Sequence, residues 1–234
     1  MRSLLLIMIF FSGKVFYGQN ISAKELLDST IAFHDSNNQW NTFKGKFEVI
    51  TERPESSERS SMISIDNPKE QFKLKVKKDK VVYSYGFDGE NCVISLNGSP
   101  QITDADRKKY KLTCERGNMM KDYYTYLYGL PMKLKDAGTI LDEKVETKIF
   151  KGKEYLVLKV NYEEGVGDDV WYFYFDPQTY AMEVYQFYHD ESKNDGEYIL
   201  LKGLENVEGI LMPKNRAWYY NKDDKYLATD ILKR

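Results

Sequence analysis

Apolar residues alternate with polar residues through most of the chain, which is the period of β-strands. Between residues 42 and 97 the alternation recurs in short runs, and turn residues separate these runs at roughly ten-residue spacing. A typical run contains Phe72, Leu74 and Val76, which alternate with lysines. Antiparallel strands of this kind have one apolar face and one solvated face. This part of the chain is therefore predicted to form a meander.

Two segments have helical spacing instead. Residues 22–34 begin with Ser22 and Glu25, the pair of a capping box, and continue with apolar residues three and four positions apart. A second helix is predicted over residues 118–128, inside a helical insertion at 103–136. Its apolar face is rich in methionine and tyrosine.

Alternation returns from residue 144 and continues to the end of the chain. Its densest run is the aromatic strand at 170–175. The pattern predicts about ten or eleven antiparallel strands in all, together with the N-terminal helix and the central helical insertion. No internal repeat or low-complexity linker divides the chain.

The N-terminus has the layout of a secretory signal peptide. Its first residues include Arg2, residues 4–11 form an unbroken apolar run, and the small residue Gly18 precedes the expected cut. The run is far shorter than the ~20 apolar residues of a membrane-spanning helix. We therefore expect residues 1–18 to be a signal peptide and residues 19–234 to form a single exported domain. Its location would be the periplasm of a Gram-negative bacterium or the extracellular space.

Composition and charge narrow the classes of partner. The formal net charge is −2, from 34 lysines and arginines against 36 acidic residues. This balance gives no electrostatic reason to expect nucleic acid as a partner, or a broad basic surface for anionic membranes. Aromatic residues make up 15% of the chain, as in folded proteins. The mature protein is expected to be a soluble monomer with at most transient membrane contact.

The two cysteines, Cys92 and Cys114, leave two alternatives open. In an oxidising compartment they could form a disulfide, which would close a loop of about 22 residues and stabilise the fold by roughly 3 kcal/mol. They could equally be two buried free thiols, because the sequence does not give the distance between them.

Signatures of catalysis and cofactor binding are missing from the sequence. It contains no G-x-S-x-G, no H-E-x-x-H and no glycine-rich phosphate loop. The only histidines, His34 and His189, each precede an acid, so they could form a metal site or an acid–base pair if the fold brought them together. The prediction is a protein without enzymatic activity, without a cofactor and without a metal.

Two motifs in the second half of the chain resemble the periplasmic lipoprotein-carrier superfamily, which includes the Lol carriers and related lipid-binding envelope proteins. They are the run WYFYFDPQT at 171–179 and the run NVEGILMP at 206–213. The whole mature chain, including the residues from 123 to 132, is similar to an uncharacterised family of exported Bacteroidetes proteins.

This resemblance implies a mainly β fold with helices (α+β). The fold would be an open, curved antiparallel half-barrel wrapped around the N-terminal helix and the central helical insertion, with an apolar cavity between them. It also implies a strand arginine that helps to hold a lid closed, and Arg53 and Arg59 are the early arginines available in this chain.

The alternation and the helical face select a set of candidate residues for the lining of an apolar groove. They are Phe47, Leu74, Tyr83, Ile94, Met119, Tyr123, Leu127, Leu158, Trp171 and Phe173. Each could equally be plain core, and the second helix could be fixed rather than a movable lid. The predicted function is to bind a lipid or an acylated protein in this groove. The alternatives are a structural or interaction module of the cell envelope and a hydrolase of envelope polymers.

Overall fold

The computed structural model describes residues 21–234, so the predicted signal peptide lies outside the described residues. The α-helices of this part of the chain are α1 (Ala23–His34), α2 (Asp104–Tyr110) and α3 (Cys114–Gly129). No helix between residues 21 and 234 is both long enough and apolar enough to cross a membrane.

The predicted capping box begins α1. The N–H of Glu25 donates to Ser22 Oγ at 3.3 Å, and the N–H of Ser22 donates back to the Glu25 carboxylate at 3.0 Å. Helix α3 begins earlier than predicted, because the Thr113 side chain accepts a hydrogen bond from the N–H of Arg116 and so caps the helix at Cys114.

The strands belong to one antiparallel sheet. Their bounds are β1 (Lys44–Glu52), β2 (Arg59–Asp66), β3 (Gln71–Lys78), β4 (Val81–Asp88), β5 (Asn91–Leu96), β6 (Thr139–Leu141), β7 (Glu146–Phe150), β8 (Lys153–Tyr162), β9 (Val170–Phe175), β10 (Met182–Tyr188), β11 (Glu197–Val207), β12 (Ile210–Tyr220) and β13 (Tyr226–Lys233). Their order across the sheet is β5-β4-β3-β2-β1-β13-β12-β11-β10-β9-β8-β6, and β7 also pairs with β8. The pairing of β1 with β13 joins the two meanders side by side.

The structure confirms a mainly β protein with a large, curved, unclosed antiparallel sheet, and it corrects the strand number, which is 13 within residues 21–234. The short strand β6 was not recognised in the sequence, because three residues are too few to show a period of two.

One apolar core joins both long helices to one face of the sheet. Leu26 and Leu27 of α1 and Leu127 and Tyr128 of α3 are buried in it with side chains from strands of both meanders. A smaller cluster lies apart from this core and includes Val157. Since neighbouring residues of a strand point to opposite faces, Val157 and the core residue Leu158 mark the two faces of the sheet.

A disulfide joins Cys92 to Cys114. Cys92 lies in β5, the outermost strand of the first meander, and Cys114 is the first residue of α3. The N-terminal end of α3 is therefore attached covalently to the sheet.

Candidate functional site

Tyrosines form much of the contact between α3 and the sheet. Tyr124, Leu127 and Tyr128 are buried at helical spacing on one side of α3. The ring of Tyr128 packs against Phe47 of β1, with 4.9 Å between centroids, and Tyr123 stacks on Trp218 of β12 at 6.4 Å. Tyrosine combines an apolar ring with a polar end, so this contact contains polar atoms inside an apolar core.

The structure places most of the candidate groove residues in this one core. Those that are buried are Phe47, Leu74, Ile94, Leu127, Leu158 and Phe173, and those that are partly buried against the core are Tyr83, Tyr123 and Trp171. Met119 is the one candidate that does not pack in this core, because 49% of its surface is exposed. Its neighbour Met120 is partly buried against the core. Met119 therefore lies on the outer surface of α3 and does not line the contact with the sheet.

A row of polar side chains crosses four neighbouring strands on the core face of the sheet. The backbone register pairs Arg59 of β2 with Thr51 of β1, Thr51 with Asp230 of β13, and Asp230 with Arg216 of β12. Arg59 Nη2 donates to Thr51 Oγ1 at 3.0 Å, and Thr51 Oγ1 donates to Asp230 Oδ1 at 2.5 Å. Trp218 Nε1 donates to Asp230 Oδ2 at 3.1 Å, so each oxygen of this carboxylate accepts one hydrogen bond.

Arg216 contacts α3 from the sheet side. It is only 1% exposed, and its Nη1 donates to the carbonyl oxygen of Pro213 at 2.7 Å. Its Nη2 lies 3.5 Å from the carbonyl oxygen of Leu127, and its guanidinium carbon lies 3.9 Å from the centroid of the Tyr128 ring. That separation permits a cation–π contact.

Arg216 was not predicted from the sequence, where Arg53 and Arg59 were the early arginines available for a contact with a lid. Arg53 is exposed just beyond the end of β1, whereas Arg59 belongs to the buried row. The sequence held one sign of the position of Arg216. It lies two residues before Trp218 in the same strand, and residues two apart point to the same face of a sheet.

Six buried polar atoms beside this row make no short hydrogen bond among the described residues, although the Tyr124 hydroxyl lies within hydrogen-bonding reach of Ser61 and the Tyr185 hydroxyl within reach of Arg216. We call this set the donor cluster: Arg59 Nε, Ser61 Oγ, the hydroxyls of Tyr124, Tyr128 and Tyr185, and Arg216 Nε. Burial raises the pKa of these tyrosines, so their hydroxyls stay protonated. All six groups can donate a hydrogen bond, and a buried donor without a partner destabilises the fold by about 1–3 kcal/mol.

An open cleft of about 370 Å³ lies beside the second half of α3, on a different side from Tyr124 and Tyr128, and is bounded by β6, β8 and β9. Its lining includes Tyr126, Tyr162 and Trp171, and the hydroxyls of the two tyrosines contact each other. The ring of Trp171 packs edge-on against Tyr126, with 5.5 Å between centroids, and lies 6.1 Å from the ring of Tyr185. Aromatic side chains therefore connect this cleft to the donor cluster.

The two histidines lie at opposite ends of β10. His34 is buried; its Nδ1 donates to the carbonyl oxygen of Leu211 at 2.6 Å, and its Nε2 accepts from the N–H of Met182 at 3.0 Å. Burial lowers the pKa of His34 to about 4. His189 is exposed and lies 2.6 Å from Asp169. The fold does not assemble the two-histidine site that the hydrolase alternative requires, and residues 21–234 contain no group of three or more potential metal ligands.

The fold is similar to that of a solved protein of the LolA superfamily, as the resemblance of the sequence motifs had implied. A LolA superfamily protein from Nitrosomonas europaea superimposes with a TM-score of 0.54 and 10% identity, over 92% of each chain. A putative outer membrane lipoprotein-sorting protein domain from Vibrio parahaemolyticus gives a TM-score of 0.48 at 10% identity over 90% of each chain. A DUF1329 family protein from Desulfovibrio piger gives 0.49 at 8% identity over 91% of each chain.

The chain belongs to DUF6503, a family of unknown function whose profile matches residues 2–233. A comparison with curated proteins finds no match.

Proposed function

We propose that this protein binds the acyl chain of a lipid or of an acylated protein between α3 and the sheet, without catalysing a reaction. The observation that carries the proposal is the way α3 covers the core face of an open sheet through tyrosines with polar ends. Side chains of this kind can leave an apolar surface at a smaller cost than aliphatic ones, because their hydroxyls are hydrated once exposed. The LolA-like fold supports the same function.

The attachments of α3 suggest how the site opens. The disulfide at Cys114 fixes the start of the helix, whereas its second half is held by the long contact between Arg216 and Leu127 and by the contact of Tyr126 with Tyr162. Movement of this second half would open the cleft at Trp171. An acyl chain would then lie between the displaced part of α3 and the sheet, and removal of its apolar surface from water would drive binding.

The cellular setting is part of the proposal. A single domain that follows a cleaved signal peptide would act in the periplasm or outside the cell, where it would exchange its ligand reversibly with a membrane or another envelope protein. A disulfide is compatible with such an oxidising compartment.

The test is purification without detergent, followed by native mass spectrometry and lipid extraction, and then by uptake of a fluorescent phosphatidylethanolamine from vesicles. Tyr123→Asp and Leu127→Asp should abolish uptake, because each puts a charge on the sheet side of α3. Met119→Asp is the matched control, since it adds the same charge to the exposed surface of the same helix. Circular dichroism checks that each variant folds; normal uptake by folded Tyr123→Asp would refute the proposal.

A non-catalytic interaction module of the envelope is the second candidate. It is favoured by the tight packing of the core, where Phe47, Leu74, Leu158 and Phe173 are at most 1% exposed. This alternative predicts that the mature protein carries no lipid and takes none up from vesicles.

A further inference from the structure

The buried polar groups under α3 carry more positive than negative charge. The donor cluster contributes two guanidinium groups, three phenols and one serine hydroxyl. Asp230 is the one buried carboxylate in the row, and Thr51 and Trp218 already donate to its two oxygens. Within residues 21–234, neither Arg59 nor Arg216 forms a salt bridge. The interior beneath α3 therefore has an excess of positive charge.

The Arg216 end of this cluster is the more enclosed one. Arg216 lies against the ring of Tyr128 and close to Tyr185, and all three side chains are almost completely buried. The Nε atom of Arg216 and the Tyr128 hydroxyl make no hydrogen bond within residues 21–234, and the Tyr185 hydroxyl has only Arg216 within reach. Arg216 forms no salt bridge, not even with its cross-strand neighbour Asp230, so an additional anionic acceptor is the simplest account of the arrangement.

We propose that the ligand has an anionic oxygen head group, a carboxylate or a phosphate, which binds to Arg216, Tyr128 and Tyr185 while its hydrocarbon chain extends toward Trp171. This inference rests on the proposed function and deepens it by naming the class of ligand. Trp171 lines the open cleft, and its ring lies 6.1 Å from that of Tyr185, so the cleft adjoins this end of the donor cluster. The head group would enter first, and it would supply the acceptors that the three donors lack.

The experiment compares laurate with 1-dodecanol, which have the same chain length but differ in head group. Displacement of the neutral dye Nile red from the mature protein at pH 8 gives both affinities. Since a hydrogen bond to a charged group contributes about 1.5–3 kcal/mol, wild type should prefer laurate roughly 10- to 100-fold. Acetate and inorganic phosphate are tested alone, to separate an amphiphile site from a site for a small free anion.

Two variants test which side chains cause the preference for laurate over dodecanol. Arg216→Met should reduce the ratio of laurate to dodecanol affinity to about threefold or less, whatever its effect on the two affinities together, whereas Arg116→Met, at an exposed position of α3, should retain the ratio. Tyr185→Phe removes one hydroxyl and leaves the guanidinium of Arg216 in place, so the preference for laurate should fall while the variant still unfolds cooperatively in urea. The Tyr185→Phe result decides the question even if Arg216→Met does not fold.

The outcomes separate the two proposals. Equal binding of laurate and dodecanol by wild type overturns the inference, since the donors are then satisfied by water, but leaves acyl-chain binding intact. Displacement by acetate or phosphate as readily as by laurate also overturns it, because the site then recognises a small anion. If neither laurate nor dodecanol displaces the dye and no lipid is taken up from vesicles, the proposed function itself fails.

Discussion

The Nε2 atom of His34, at the end of α1, accepts a hydrogen bond from the backbone N–H of Met182, at the start of β10. The other ring nitrogen donates to the carbonyl oxygen of Leu211 in β12, so the neutral imidazole joins the N-terminal helix to two strands of the second meander. Protonation of Nε2 would break the first bond and would place a charge in a fully buried position.

Acid should therefore destabilise the protein through His34. Its pKa is lowered to about 4 in the folded state, mainly by burial, so between about pH 6.5 and 4 the unfolded chain binds a proton that the folded chain does not. Stability then falls as the pH falls through this window. We expect His34 to account for a loss of about 2 kcal/mol between pH 7.5 and 5, measured by urea unfolding.

Two variants test the assignment of this loss. His34→Asn, which cannot be protonated, should have nearly the same stability at both pH values. His189→Asn should keep the acid loss, because the exposed His189 has its pKa raised by Asp169 and so acts in the opposite direction. A full acid loss in His34→Asn would show that other groups cause it.

Local patterns in the sequence were sufficient to predict the helices and strands but not the polar row of the candidate site. The capping box of α1 and the alternation of β3 depend on residues close together in the chain, so both could be predicted. The row from Arg59 to Arg216 exists only because β1 pairs with β13, which brings together residues from the two ends of the chain. Pairing of this kind depends on the register of the whole sheet, and alternation in one strand does not reveal it.

Loss of the disulfide should destabilise the protein by roughly 3 kcal/mol, because the bond closes a loop with a sequence separation of 22 and restricts the unfolded chain. The double variant Cys92→Ala/Cys114→Ala should show this loss in urea unfolding. Wild type should show the same loss in dithiothreitol, whereas the variant should be insensitive to the reductant. Identical unfolding of wild type with and without dithiothreitol would contradict the prediction.

The close approach of α3 to β4 depends on a glycine. A Cβ on Gly117 would lie 2.6 Å from Cδ1 of Tyr85, so Gly117→Ala should force the helix or the ring to shift, with a loss of about 1–3 kcal/mol in the free energy of unfolding. Gly86→Ala, in β4, is the matched control, since its Cβ would meet nothing closer than 4.0 Å. Equal stabilities of the two variants would show that α3 moves away at little cost.

Asp230 should be coupled energetically to Arg216, its partner in the register of β12 and β13. Asp230→Asn weakens the acceptor of Thr51 and Trp218 and removes the buried negative charge of the row. We expect a loss of about 2–4 kcal/mol in the free energy of unfolding, together with a change in Trp218 fluorescence. Asp223→Asn, at an exposed position, should change neither quantity.

A double-mutant cycle separates the charge contribution from the lost hydrogen bonds. If Asp230 offsets the charge of Arg216, then Asp230→Asn should cost less in an Arg216→Met background, because no buried cation remains there at position 216. We expect a coupling energy of about 1 kcal/mol or more between the two sites. Additive effects would show that the carboxylate stabilises the fold only through its hydrogen bonds to Thr51 and Trp218.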